Sequence, residues 1–194
     1  MNRLGDKLDL SALTVAGITM GEAVKDAEIY NDDVIKFLHT PVSSQLIEHP
    51  ICNFVFDAVF HKTHPLAAQK VVTAVDLAQF PIIALYQGQI GRTRQDEFFK
   101  SQNIDIIPQF ETSPSIVALS LCQQNFGIAL MPSVYMMSNQ YPNLASRPID
   151  PMRNINFGAV TAEGQKLFDL QQEFFIELKN IADDWHSFKK TNQG

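Results

Sequence analysis

Two short stretches of this chain place polar and basic residues where they could hold an anion. The first runs Gln87-Gly88-Gln89-Ile90-Gly91-Arg92-Thr93, directly after the apolar run PIIALY (81–86). The second is Glu111-Thr112-Ser113-Pro114, after the β-forming run IDIIPQF (104–110). Thr93-x-x-Asp96 has the spacing of a capping box, which predicts Thr93 as the N-cap of a helix. Ser113 before Pro114 has the pattern of an N-cap followed by proline at the first helical position. A helix start carries unpaired backbone N–H groups and about half a positive charge, so a carboxylate, phosphate or sulfate between two such starts would be held by the backbone itself. Arg92 and Arg94 are placed to add bidentate contacts, whereas Glu111 argues against a purely anionic ligand. The alternative is that Thr93 and Ser113 only cap their helices and both arginines face solvent.

Other chemistry finds less support. His61-x-x-His64, with His49 nearby, has no cysteine or carboxylate at ligand spacing, and His64-Pro65 reads as a turn, so no metal is expected. Cys122 shares a predicted helix with Val117, Ala118 and Leu121 and reads as a small buried apolar residue, since nothing in the local sequence lowers its pKa. The sequence has no Gly-x-Ser-x-Gly elbow, phosphate loop or Gly-x-Gly-x-x-Gly fingerprint, so neither catalysis nor a cofactor is expected.

The elements that must position these residues follow from the hydrophobic pattern. Leu13, Ala16, Met20, Ala23, Ala27, Val34, Phe37 and Leu38 recur at three- and four-residue steps, which predicts an amphipathic helix from about Leu13 to Leu38, with Gly17 and Gly21 as weak points. Thr40 to Pro50 reads as a connector. CNFVFDAVF (52–60) predicts a strand ending at the turn HKTHP (61–65), and VDLAQF (75–80) a short turn of helix. PIIALY, RTRQDEFFKSQN (92–103), IDIIPQF, SPSIVALSLCQQ (113–124) and GIALMP (127–132) then alternate strand and helix, the grammar of parallel βαβ units. LASRPI (144–149) and INFGAV (155–160) predict two more strands. Gly164 to Phe188 predicts a closing helix with Leu167, Leu170, Phe174, Phe175, Leu178 and Ile181 inward. The fold class is α/β, and the binding end of such a sheet lies beyond the carboxyl ends of its strands, where both polar stretches fall.

Composition agrees with a folded chain. At 194 residues it has room for one domain or two small lobes, and 45% hydrophobic with 19% charged residues excludes disorder. A net charge of −6 repels nucleic acid and anionic membranes. Two cysteines are too few for a disulfide scaffold, and no apolar stretch reaches the length of a signal sequence or a membrane span, so a cytoplasmic setting is expected.

Taken in order, FVFDAVFHKTHPLA, VDLAQFPIIAL, ETSPSIVALSLCQQNFGIALMP and LASRPI resemble the effector-binding domain of LysR-type transcriptional regulators. The likeness rests on a His-Pro-Leu-Ala turn at His64–Ala67, an Asp-Leu-Ala helix at Asp76–Ala78, and a helix running into Gly-Ile-x-x-x-Pro at Gly127, Ile128 and Pro132, and it spans about residues 48 to 180. The resemblance implies a periplasmic-binding-protein-like (type 2) fold of two α/β lobes, one of them incomplete here, with a small effector held between lobes. It matches Tyr86, Gln87 and Gly88 to a loop lining the effector site, and Thr112 and Ser113 to a polar helix start that contacts effectors, with Arg92 and Thr93 beside them.

The resemblance also implies residues 48–150 as the second α/β lobe and 151–194 as a return strand and C-terminal helix packing toward the first lobe. Residues 1–47 have two readings. Leu13-Thr14-x-Ala16-Gly17 is similar to the start of the family's linker helix, with most of the first lobe deleted. Alternatively Leu8-Asp9-Leu10 is a strand of that lobe and residues 18 to 40 an insertion. The linker-helix reading is preferred. The family's helix-turn-helix has no counterpart here, so DNA contact would come from a domain outside this sequence. The effector would be a small, anionic or carboxylated metabolite acting on a homodimer or higher oligomer. The rival expectation is a truncated regulator that works as an interaction protein through oligomerisation, without ligand.

Overall fold

In the computed structural model, residues 36–40, 46–136, 141–162 and 169–192 are described. Their order is β1 (Lys36–Thr40), β2 (Leu46–His61), β3 (Val72–Thr73), α1 (Ala74–Leu77), β4 (Ile82–Leu85), α2 (Ile90–Lys100), β5 (Phe110–Thr112), α3 (Ser115–Gln123), β6 (Ile128–Pro132), β7 (Leu144–Asp150), β8 (Asn154–Ala162) and α4 (Asp169–Asn192). The chain divides into two compact units, Phe54–Ile155 and the remainder, Met1–Asn53 with Asn156–Gly194. No helix among the described residues is long and apolar enough to cross a membrane.

In the unit Phe54–Ile155 the runs PIIALY and GIALMP become β4 and β6, which pair in parallel through Ile82↔Ile128 and Ile83↔Ala129. On its other side β4 pairs in parallel with β5, from Ile83↔Phe110 to Leu85↔Thr112. The expected β4-α2-β5-α3-β6 succession is therefore present, and β4 sits between the strand that follows it and the one after that. The crossover from β4 runs outward to β5 and the crossover from β5 returns past β4 to β6, so the carboxyl ends of β4 and β5 flank a topological switch point, the usual place for a ligand in an open α/β sheet. The sheet is mixed, because β2 runs antiparallel to both β6 and β7. Phe56, Phe60, Ile83, Phe98, Leu119, Ile128, Leu130 and Met131 are fully buried and form the core on which these elements rest. Cys122 is buried among them, and desolvation pushes its thiol up to about 12, which makes it the inert apolar residue its neighbours in sequence suggested.

Helices α2 and α3 end alike. Asn103 and Asn125 adopt left-handed backbone (φ 53° and 61°), and the next residues, Ile104 and Phe126, return their N–H to the carbonyls of Phe99 (3.1 Å) and Leu121 (3.0 Å). Gly127 must lack a side chain, since a Cβ there would come within 2.5 Å of the Pro81 carbonyl oxygen. That close approach lets Ile128 N–H reach the same carbonyl at 2.9 Å and start β6 alongside β4.

In the other unit, β1 pairs antiparallel with β8 from Lys36↔Val160 to Thr40↔Asn156. Phe175, Leu178 and Ala182 of α4 are buried, Phe174 and Ile181 half-buried, and His49 stacks on Phe175 at 5.3 Å. The inward face expected of this helix is thus present for the residues described, while Leu167 lies outside them and the side chain of Leu170 is not described.

Three boundaries and the place of a capping box differ from expectation. Lys36–Leu38, expected to end a helix, belong to β1, because ladder bonding to β8 outweighs a three-residue apolar spacing; the rest of the expected Leu13–Leu38 helix lies outside the described residues. The expected connector up to Pro50 is already strand from Leu46, since proline fits a strand wherever its missing N–H would face away from the ladder. The run IDIIPQF is strand only from Phe110, because Pro108 can donate nothing to β4 and ladder contact begins when Gln109 N–H reaches Ile82 O at 2.9 Å. A capping box does form, but at Thr73-x-x-Asp76 at the start of α1: Asp76 Oδ2 accepts from Thr73 N–H at 2.8 Å and Thr73 Oγ1 from Asp76 N–H at 3.3 Å; the Thr73 hydroxyl, donating to Asp76 Oδ2 at 2.6 Å, and then the Thr73 N–H hold the Asp76 carboxyl below its usual pKa.

His64 opens the His-Pro-Leu-Ala turn by accepting Leu66 N–H on Nδ1 at 3.3 Å, with its ring against Phe60 and Phe80. Desolvation lowers its pKa from 6.5, and protonation would also remove that acceptor. A His pKa depressed by folding contributes stability that is complete above the unfolded value and is lost as pH falls from about 6.5 toward the native value. We therefore expect His64→Gln to destabilise the protein more at pH 7.5 than at pH 5.5, read from urea unfolding midpoints at the two values.

Candidate functional site

At the carboxyl end of β4 the chain turns through Tyr86, Gln87, Gly88 and Gln89 into α2. Gly88 has φ +88°, a left-handed conformation that side chains resist, and Gln89 N–H closes the turn on Tyr86 O at 3.3 Å. Tyr86 is 51% exposed, and its N–H bonds to Thr112 O at 3.1 Å, continuing the β4–β5 ladder by one residue. The second stretch therefore arrives beside the first. Gln89 Nε2 donates to Ser113 O at 3.1 Å and to Ser113 Oγ at 3.2 Å, bridging the two loops. Thr112 is buried, and its hydroxyl donates only weakly, to Pro114 O at 3.5 Å.

Neither expected cap forms. Gln89, not Thr93, is the N-cap of α2, and Pro114, not Ser113, is that of α3, and neither N-cap makes a side-chain capping bond. Thr93 lies one turn into α2, exposed, with its N–H on Gln89 O at 3.0 Å, and its would-be partner Asp96 is occupied by Arg92. Ser113 stands one residue too early because Pro114 keeps extended backbone (φ −76°, ψ 126°), and its hydroxyl accepts from Gln89 instead. Two helix starts with no side-chain oxygen over their first N–H groups are joined through Gln89, whose own Oε1 is buried without a hydrogen-bond partner.

Arg92 behaves differently from a ligand-facing arginine. Its side chain is 9% exposed and has three partners: Nε donates to Asp96 Oδ1 at 2.8 Å, and Nη1 donates to Leu85 O at 3.0 Å and to Glu111. Burial alone would lower its pKa, but the bonds to Glu111 and Asp96 outweigh that and hold the charge. Glu111 is thus the counter-charge of Arg92. Arg94, the other candidate, pairs with Glu97 at 2.7 Å.

Gln95, which sequence reasoning missed, completes the support. Buried at 3% exposure, it accepts Leu85 N–H on Oε1 at 3.2 Å and donates from Nε2 to Leu130 O at 3.0 Å, beyond the last β4–β6 pair. Both peptide groups of Leu85 are therefore held by side chains of α2, Arg92 on the carbonyl and Gln95 on the N–H. Gly91 leaves room for the Leu85 side chain, whose Cδ1 would lie 2.6 Å from a Cβ there and would have to turn aside. A signal for Gln95 existed, because it lies three and four residues before the buried Phe98 and Phe99 and so on the inner face of α2. The Tyr86–Gln89 and Ser113 loops form an exposed rim; a cavity of about 190 Å³ lies instead between α2, β4 and Ile104–Pro108.

Comparison with known proteins gives one family: residues 22–181 match the LysR substrate binding domain. Among solved structures, the chain is similar to the regulatory domain of CcmR from Synechocystis PCC6803 in complex with 2-PG, with a TM-score of 0.70 and 16% identity over 82% of this chain and 77% of that one. It is also similar to the effector binding domain of QuiR in complex with shikimate (TM-score 0.68, 16% identity, 86% and 79% covered) and to the cofactor-binding domain of the Cbl transcriptional regulator (0.72, 19%, 84% and 72%). At such identities these likenesses show the fold. Separately, 42 residues are 50% identical to part of a dihydroxy-acid dehydratase from Methanobrevibacter smithii, 22% of this chain but 8% of that protein. The chain spans less than a tenth of that relative, so the match carries no activity over to it.

Proposed function

The chain belongs to the LysR substrate-binding domain family, a non-enzymatic effector-binding domain, and from that premise we propose that the loops after β4 and β5 bind a small anionic or carboxylated metabolite. The observation that carries the proposal is the pair of helix starts without side-chain caps, tied together by the Gln89–Ser113 bridge. The ligand's acid group lies between the first N–H groups of α2 and α3, with Ser113 Oγ donating to it, Gln89 holding Ser113 in place through its amide N–H groups, and Tyr86, Gln87, Gly88, Thr93 and Thr112 around it. Arg92 acts at one remove, fixing the end of β4 rather than touching the ligand. The ligand-bound CcmR and QuiR domains support a small-molecule effector.

Signalling follows from differential affinity: the effector favours one arrangement of a homodimer or higher oligomer and shifts that equilibrium only by its preference for it. DNA is contacted through a helix-turn-helix domain outside this sequence, in a cytoplasmic setting.

A thermal-shift panel of small carboxylates, aromatic acids, amino acids, phosphates and sulfate tests the proposal, since about 2.7 kcal/mol of stabilisation is available at a hundred times Kd. A hit is expected to lose affinity about tenfold in Ser113→Ala, the loss of one hydrogen bond to a charged group. A ligand unaffected by Ser113→Ala and by Gln89→Ala together would refute this placement.

The second reading, an interaction protein acting by oligomerisation alone, is favoured by one feature. Beside β5, an edge of the sheet among the described residues, Phe110 and Phe126 are 37% and 52% exposed with their rings 5.9 Å apart, and Ile116 is 51% exposed. A panel without response together with a concentration-dependent dimer in sedimentation would favour this reading.

A further inference from the structure

A second charged site lies on the same unit, away from the strand-end loops, where α2 meets the turn between β7 and β8. It is an open groove of about 610 Å³. Arg94 and Lys100 enter it from α2, and Arg153 from the turn, whose position is fixed by Phe56 N–H donating to Arg153 O at 2.8 Å. Glu97 is the one carboxylate lining the groove and bonds a single guanidinium nitrogen, Arg94 Nη1, at 2.7 Å. Three cations against one carboxylate leave two positive charges in a chain whose net charge is −6.

The donors of this cluster are only partly used. Arg153 Nη2 makes one long bond, to Glu97 O at 3.4 Å, and among the described residues Lys100 forms no ion pair. The Nε atoms of both arginines are buried, so contact with a ligand falls to their terminal guanidinium nitrogens. Three cations lining one groove attract an anion, and a guanidinium pair with an ammonium is a donor set that fits a tetrahedral oxyanion. Met152, 61% exposed at the rim, offers apolar contact for the carbon skeleton of such a ligand.

We propose that this groove is a second binding site, for a small dianionic oxyanion such as a phosphate monoester. The proposal is independent of the effector site, since it shares no residue with the strand-end loops. Two positive charges match the charge of a phosphate monoester near neutral pH.

The test is a titration of the full chain with inorganic phosphate and with sulfate at constant ionic strength, followed by backbone amide NMR. Saturable shifts are expected at residues 97–101 and 152–154. Arg94→Ala with Arg153→Ala should weaken binding at least about tenfold, as expected for losing charge-assisted bonds. Lys100→Glu, an exposed helical position, should act in the same direction, and Lys70→Ala should have no effect. A response that does not saturate, that chloride reproduces, that both variants leave intact, or that is confined to residues 87–93 and 113–117 would overturn the proposal.

Discussion

Arg92→Ala is expected to cost about 3 kcal/mol of folding stability, the low end of the range for removing one partner of a buried ion pair. The low end applies because Asp96 and Glu111 are 44% and 43% exposed and recover water when the guanidinium is gone, whereas the Leu85 carbonyl does not. Arg92→Lys should recover only part of this, since a single ammonium cannot reach acceptors spread across Nε and Nη1. Because Arg92 holds the last residue of β4, the variant should also weaken effector binding without touching the effector. Urea unfolding gives the first quantity and titration at a temperature where the variant is folded gives the second. A loss below about 1 kcal/mol would mean that the network is only a surface contact.

Gln95→Leu is expected to be comparably costly despite nearly conserving volume. It leaves Leu85 N–H and Leu130 C=O buried with no partner, at about 1–3 kcal/mol each. Amide exchange at Leu85 should accelerate beyond what the global destabilisation accounts for. The two variants should not be additive, because Arg92 and Gln95 hold the two sides of one residue, and a double-mutant cycle would report that coupling. Strict additivity, or a loss under about 1 kcal/mol for Gln95→Leu, would remove Gln95 from the support of the site.

Much of this architecture was legible in the residues. PIIALY and GIALMP are continuous apolar runs, and such runs, separated by helices of crossover length, have few alternatives to a parallel sheet buried on both faces. The strand-end loops could be located for the same reason, since their place depends on topology and not on side-chain detail. The helix caps could not. Thr73-x-x-Asp76 and Thr93-x-x-Asp96 have the same local pattern, yet only the first forms a box, because Asp96 has a stronger partner one turn back in Arg92. Arg92 reads as a ligand group in the sequence for a similar reason, as nothing local reveals that Glu111, nineteen positions away, provides its counter-charge. The strand at Lys36–Thr40 was hidden because its apolar spacing suits either element, and only pairing with β8 decides it.

The central claim is that a small anionic ligand sits between the starts of α2 and α3. The most direct measurement is an amide chemical-shift map of the full chain with the strongest ligand from the thermal-shift panel. The account predicts the largest shifts at Gln87–Thr93 and Thr112–Val117, saturating together and lost in the Gln89→Ala, Ser113→Ala double variant. Saturable shifts that leave both segments unmoved, or the same map in the double variant, would contradict it.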